Sequence, residues 1–170
     1  MQYFKFLSII VFVVAVPVFL VMTNLRMTIN LPAFYEYEFD RHSIYDRTGI
    51  ERNELLLAAR QVRDYFNNDT EFIDVRIVLH SIRRSIYNDR EIFHMRDVKS
   101  IVRKAYRLQE VTGLYLVVFT ALGLVFCRKQ FVSLFTRCLS LGGQLTLLSA
   151  TLIGLASLWG FDRLFLAFHL

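Results

Sequence analysis

Residues 88–127 read NDREIFHMRDVKSIVRKAYRLQEVTGLYLVVFTALGLVFC, and the partition of this stretch decides the fold. Its first half is charged, with Arg90, Arg96, Lys99, Arg103 and Lys104 set among Asp89, Glu91 and Asp97. Its second half, Val111 to Cys127, carries no charge. Asn88 followed three residues later by Glu91 is the pattern in which two side chains reciprocally cap the first free amides of a helix. Ile92, Met95, Val98, Val102, Ala105 and Leu108 then recur at helical spacing and give that helix one apolar face. No Gly or Pro interrupts it before the uncharged run. The sequence therefore predicts an amphipathic helix that turns into a membrane span, close to the ~20 residues that cross about 30 Å of hydrocarbon.

The same block pattern recurs. Hydrophobic residues make up 55% of the 170, with sixteen Phe and two Pro, and the mean hydropathy is +0.40. Phe6 to Met22 is uncharged and preceded by Lys5. It reads as an uncleaved anchor rather than a signal peptide, because the run exceeds a usual h-region and no small-x-small site follows. Pro17 should kink it, which neighbouring helices tolerate in lipid. Leu139 to Trp159 forms a third span rich in Gly, Ser, Thr and Ala, the composition of a helix that faces other helices. Its Gly142-Gly143 pair reads equally as a packing notch or as a flexible start.

The expected architecture is a mainly α-helical membrane protein with three transmembrane helices and a small mixed α/β extracellular cap. The division is a first helix in 1–24, the cap over 25–110, spans over 111–127 and 139–159, a loop over 128–138, and an interfacial end over 160–170. Arg128, Lys129 and Arg137 stand in the short loop without an acid, which marks it as cytoplasmic and puts the cap and the chain's end outside. Arginines near the second span pull the other way, but a segment as long as the cap translocates largely regardless of charge. The net charge of +5 and pI near 9.4 suit lipid headgroups. No basic run interleaved with stacking aromatics argues for nucleic acid. Cys127 and Cys138 flank the short loop without CxxC spacing and read as reduced bystanders.

Within the cap, Phe34 to Phe39 (FYEYEF) alternates aromatic and acidic residues, the period of a half-buried strand. Thr48-Gly49-Ile50-Glu51 reads as a capping box for a helix ending at Asn67, with Leu55, Leu56, Ala59, Val62 and Phe66 as its apolar stripe. Ile73, Val75, Ile77 and Leu79 alternate again and predict a strand over Phe72 to His80.

The chain carries no GxSxG, HExxH, GxxxxGK[ST] or GxGxxG, so hydrolase, zincin and nucleotide readings lose their usual support. Four histidines remain: His42, His80, His94 and His169. His94 has Glu91 at i−3 and Asp97 at i+3, within reach to orient its ring, while Arg90 at i−4 opposes a positive charge there. Any charged helix supplies such neighbours, and an exposed histidine is the ordinary alternative. No second ligand at i+4 supports a metal. His169 lies in the apolar stretch FLAFHL at the outer end of the third span, where an ionisable group either serves function or reaches for headgroups.

The runs YEYEFDR, TGI with ELLLAARQVRDYFNND, and YNDREIFHMRDVK resemble a family of small bacterial integral membrane proteins, the lipoprotein intramolecular transacylase (Lit) family. The resemblance spans most of the chain. NDREIxHMxDVK is its specific part, and an FH pair after the third span is present as Phe168-His169. It implies a four-helix membrane enzyme with an extracellular cap in the bacterial cytoplasmic membrane. Its substrates are diacylglyceryl lipoproteins, and it moves an acyl chain from the glyceryl group to the amine of the N-terminal cysteine without a cofactor. Matched by position, the two catalytic histidines are His94 and His169, with Asn88, Arg90, Glu91, Asp97 and Lys99 of the motif in support. Tyr35, Tyr37 and Phe39 wall the site on this reading, or pack as a strand on the cap core. The family continues past the FH pair into a fourth span, so a chain ending at Leu170 is expected to be a C-terminal truncation. The chemistry suits the residues: an α-ammonium titrates at about 7.7–8.0 and imidazole near ~6.5, so neutral histidine accepts its proton close to neutrality. The competing reading is a non-catalytic membrane protein whose cap binds a partner or a lipid; a metal-dependent hydrolase has least support.

Overall fold

The computed structural model describes the backbone of residues 2–79 and 82–169, and the side chains of 6–79, 82–126 and 130–157. In it the opening stretch is helical from Asp89 onward, with Asn88 as the residue before the helix. Helix α1 spans Gln2–Asn30, α2 Pro32–Arg41, α3 Ile44–Thr48 and α4 Arg52–Asn67. Strands β1 (Arg76–Leu79) and β2 (Ile82–Ser85) form an antiparallel pair, and α5 covers Asp89–His169. The chain divides into a membrane-helix unit, residues 1–22 and 108–170, and a cap unit, residues 23–107.

Three helical stretches are long and apolar enough to cross a bilayer, Phe6–Asn30, Asp89–Phe126 and Gln130–Ser157, and the membrane-helix unit holds their parts up to residue 22 and from residue 108 onward. The middle stretch has 38 residues. At about 1.5 Å per residue it is ~57 Å long, nearly twice the hydrocarbon thickness, so its charged start stands outside the span. The residues grouped as α5 double back between Phe119 and Phe131. Phe119 and Phe131 have ring centroids 5.8 Å apart, whereas twelve residues of straight helix would separate them by ~18 Å. Gly123 makes the return possible, since a Cβ there would fall 2.0 Å from the Phe131 ring. The stretch expected as a loop over 128–138 is helical from Gln130 onward, with Phe131 and Cys138 buried. No glycine or proline in it stops a helix. Phe12 of α1 packs on Phe119 at 4.7 Å and on Phe135 at 5.8 Å, and the Tyr115 hydroxyl donates to the Ser8 carbonyl. Gly142 is a true notch: a Cβ there would lie 2.8 Å from the Val16 side chain, while Gly143 faces open space.

The cap unit packs around Ala58, Tyr65, Phe66, Ile73, Val75, Ile77, Val102 and Tyr106. The alternation at 73, 75 and 77 fills this core as its period predicts. The expected stripes do so in part: Val62 and Phe66 of α4 and Ile92, Met95, Val98 and Val102 of α5 take part, but Ala58, Tyr65 and Tyr106 join them from outside the stripes and Leu108 is exposed. Three local readings change. FYEYEF is helix α2, not a strand: Pro32 starts the helix, and six residues of alternation are too short to outweigh the partners found. Wound as a helix, Glu36 and Asp40 sit one turn apart and both bind Arg52, at 2.7 and 3.1 Å. The box at Thr48–Glu51 does not cap α4, which begins at Arg52 with no side-chain cap bond from Glu51. Instead Thr48 ends α3, its Oγ1 donating to the Ile44 carbonyl, and Gly49 takes the left-handed conformation (φ 67°) that terminates helices. The strand expected over 72–80 is shortened to β1, and the partner strand β2 was not anticipated. His80 lies outside the described residues.

Candidate active site

The first turns of α5 are built as the sequence predicts. Asn88 Oδ1 accepts from the Glu91 N–H at 3.0 Å, and Glu91 Oε2 accepts from the Asn88 N–H at 2.8 Å, a complete reciprocal cap. These two residues hold the helix start, which commits the Glu91 carboxylate to backbone. The Asp97 carboxylate lies 3.8 Å from Arg96 Nε. Neither acid is therefore engaged with His94, which is exposed in the second turn of α5. Arg90 is also exposed.

Beside His94, Phe93 meets Phe72 edge-on with centroids 5.7 Å apart, and the Arg96 guanidinium lies 5.5 and 5.8 Å from the two rings. Arg96 also reaches Glu71 at 3.4 Å. Phe72 is remote in sequence and carried no signal of this pairing.

One turn further on, Lys99 is buried. Its ammonium donates to Asn68 Oδ1 at 3.0 Å and to the Thr70 carbonyl at 2.7 Å, and lies 4.0 Å from the centre of the Tyr65 ring. Burial pulls its pKa below the usual lysine value, with the neighbouring Arg103 acting in the same direction. Arg103 binds the Asn68 carbonyl and Asp69. Arg96, Lys99 and Arg103 thus fasten the 68–71 turn onto α5. Burial of Lys99 was readable from helical phase, four residues after Met95 and three before Val102.

The aromatic residues named as walls sit on α2, without an observed contact to His94. Tyr35 donates its hydroxyl to the Ile29 carbonyl at 2.8 Å, and burial raises its pKa. It lines a small pocket of about 50 Å³ with Pro32, Glu36, Leu56 and Arg63. Tyr37 is exposed and accepts from Arg41, and Phe39 packs edge-on against Tyr45. His169 is the last residue of α5, and its side chain lies outside the described residues, as does that of Cys127. Among the described residues no three of His, Cys, Asp or Glu gather as a metal site.

The membrane-helix unit contains two grooves of about 590 and 500 Å³. The first is walled by Phe12, Val16, Leu116, Thr120 and Leu139, the second by Ser8, Tyr115, Phe119, Phe131 and Leu134. Both fall in the size range of small-molecule sites, and their apolar walls suit hydrocarbon.

A family model described as "Lipoprotein intramolecular transacylase Lit" matches residues 10–170. No curated protein matches the chain. Among solved structures, the fold is similar to the in meso structure of the membrane integral lipoprotein intramolecular transacylase Lit from Bacillus cereus. The TM-score is 0.70 at 19% identity, covering 99% of this chain and 73% of that one.

Proposed function

We propose, from the premise that the chain belongs to the family of the lipoprotein intramolecular transacylase Lit, that it moves an acyl chain within a diacylglyceryl lipoprotein. The observation that carries this reading is the family match over nearly the whole chain, from residue 10 to residue 170. In the reaction a base takes a proton from the α-ammonium of the lipidated N-terminal cysteine. The freed amine attacks the glyceryl ester carbonyl and an N–C bond forms. The nitrogen then gives up a second proton, the C–O bond to glycerol breaks, and an acid delivers a proton to the departing oxygen, so that one proton net is released from the starting ammonium. Ester and amine become amide and alcohol, with no electron transfer and no need of a cofactor.

In this proposal His94 is the base and His169 the acid. The reciprocal cap at Asn88 and Glu91 supports that role by giving His94 a rigid mount. Lys99 and Arg103 do the same from the other side by fastening the 68–71 turn. Arg90 and Asp97 flank the imidazole on the exposed side of α5. Because donor and acceptor belong to one molecule, the protein mainly has to hold them together, which is worth on the order of 7–11 kcal/mol. The apolar grooves of the membrane-helix unit are fitted to the acyl chains. The protein is a multi-pass component of the bacterial cytoplasmic membrane with its cap outside, a reading supported by the acid-free basic stretch around Arg128, Lys129 and Arg137.

The test is expression in bacteria whose lipoproteins carry only the diacylglyceryl form, with mass spectrometry of their N-terminal peptides. The expected product has an N-acyl cysteine and a monoacylglyceryl thioether. Loss of one acid–base group costs about 10²–10⁴ in rate, so His94→Ala and His169→Ala should each abolish the shift in protein that still inserts. If the wild type yields only diacyl peptides, or both variants match it, the reading fails and a non-catalytic binding role replaces it.

A further inference from the structure

The two outer edges of the cap's hairpin are treated differently. In the register Arg76↔Ser85 to Leu79↔Ile82, the Ile86 N–H donates to the Val75 carbonyl at 3.2 Å. Antiparallel alternation then assigns the ladder bonds to the pairs 75–86, 77–84 and 79–82. The backbone groups of Arg76 and Val78 point outward from β1, and those of Arg83 and Ser85 outward from β2. Helix α4 closes the first edge. The Gln61 amide accepts from the Arg76 N–H at 3.2 Å and donates to the Arg76 carbonyl at 3.1 Å, and Glu54 accepts from the Val78 N–H at 2.7 Å. On the second edge, no described residue pairs with the outward groups of Arg83 and Ser85, and all four residues of β2 are exposed.

We propose that this open β2 edge takes an extended, acidic segment of the lipoprotein substrate as a third strand, a surface that rests on the acyl-transfer reading above. Backbone pairing at an edge supplies affinity without demanding a particular sequence, which suits an enzyme acting on many chains. Charge selects the occupant. Arg83 and Arg84 point to opposite faces of the strand, so a carboxylate on either face of the added strand meets a guanidinium. The same pair disfavours a second copy of this chain. Antiparallel pairing of two β2 edges would set arginine against arginine at about 4.5–5.5 Å between Cβ atoms, where like charges destabilise. Position agrees with the role. Ser85 to Asn88 spans at most ~10 Å of chain, and Asn88 to His94 rises ~9 Å along α5. A segment on β2 therefore ends within ~20 Å of His94, a distance that about six extended residues cover.

The test uses the full chain in zwitterionic nanodiscs and a fluorescent, unlipidated Glu-rich peptide followed by anisotropy. Wild type should bind it, with binding weakened by salt. Binding should weaken about tenfold or more in R83E/R84E, and also in Arg83→Pro, which removes an outward N–H that the hairpin does not use. A peptide N-methylated at alternate residues on its pairing side should fail on the wild-type protein. The same peptide methylated one residue out of phase should bind. Equal binding of both methylated peptides, or a dimer cross-linked through β2, overturns the proposal. Acyl transfer on matched lipopeptides separates the two readings. Peptide binding without transfer removes the enzyme and keeps the edge. Transfer with the same KM for tethered and tetherless substrates, and no peptide binding, removes the edge and keeps the enzyme.

Discussion

Replacing Lys99 by Met tests whether a buried cation holds the cap together. Lys99 is only 5% exposed, and its ammonium closes two hydrogen bonds and an aromatic contact. Met keeps most of the aliphatic stem and removes the charge. Asn68 Oδ1 still accepts from the Thr70 N–H and hydroxyl, so it is not stranded. The Thr70 carbonyl, on an exposed residue, loses its charged donor, and a hydrogen bond to a charged group contributes about 1.5–3 kcal/mol. Losing the ring contact adds about 0.5–2 kcal/mol, while relief of ammonium desolvation returns part of this. The expected net loss is about 1–3 kcal/mol. Lys99→Ala also strips three methylenes at about 0.8 kcal/mol each, so it should lose roughly 2 kcal/mol more. Hydrogen exchange of residues 68–73 in the full chain, compared with thermal unfolding in nanodiscs, reads both values. The pH dependence gives an independent sign. Because the folded pKa of Lys99 is lowered, the unfolded chain binds more protons between that value and about 10.4, and stability rises with pH across the window. The wild type should show this slope and Lys99→Met should lack it. A Met variant as stable as wild type would mean that desolvation outweighs the bonds and would refute the reasoning.

Two further outcomes follow from the packing. Gly142→Ala drives a Cβ into Val16 and should cost about 1–3 kcal/mol. Gly143→Ala meets open space and should be neutral or gain up to ~1 kcal/mol through helix propensity; thermal unfolding of the two single variants decides it. Asn88→Ala breaks the reciprocal cap of α5 and should cost about 1 kcal/mol, with Asn88→Ser restoring most of it, as read from exchange protection of residues 89–93.

The helices that cross the membrane were legible because hydrocarbon thickness imposes a local length requirement, and Phe6 to Met22 meets it without help from the rest of the chain. The α5 cap was legible for the same reason: Asn88 and Glu91 satisfy each other within one turn. Elsewhere a short pattern misled. FYEYEF has strand periodicity, yet Arg52, sixteen residues after Glu36, binds the acids that only a helix brings to one side. Thr48 and Glu51 have the spacing of a cap, but Gly49 between them ends one helix before the next begins. In the candidate site, the motif around His94 was visible and its environment was not. Spacing offered Glu91 and Asp97 to the imidazole, whereas the cap and Arg96 hold them.

By itself, then, the sequence determined a membrane protein, where its apolar helices lie, and which family motif the cap carries, because each of these rests on composition or on contacts within a few residues. Tertiary structure alone decided that α5 doubles back over Gly123, that Lys99 is enclosed by the 68–70 turn, and that α4 seals one edge of the hairpin and leaves the other bare. Each of those depends on groups brought together from distant parts of the chain, and no local period or spacing encodes which partner arrives.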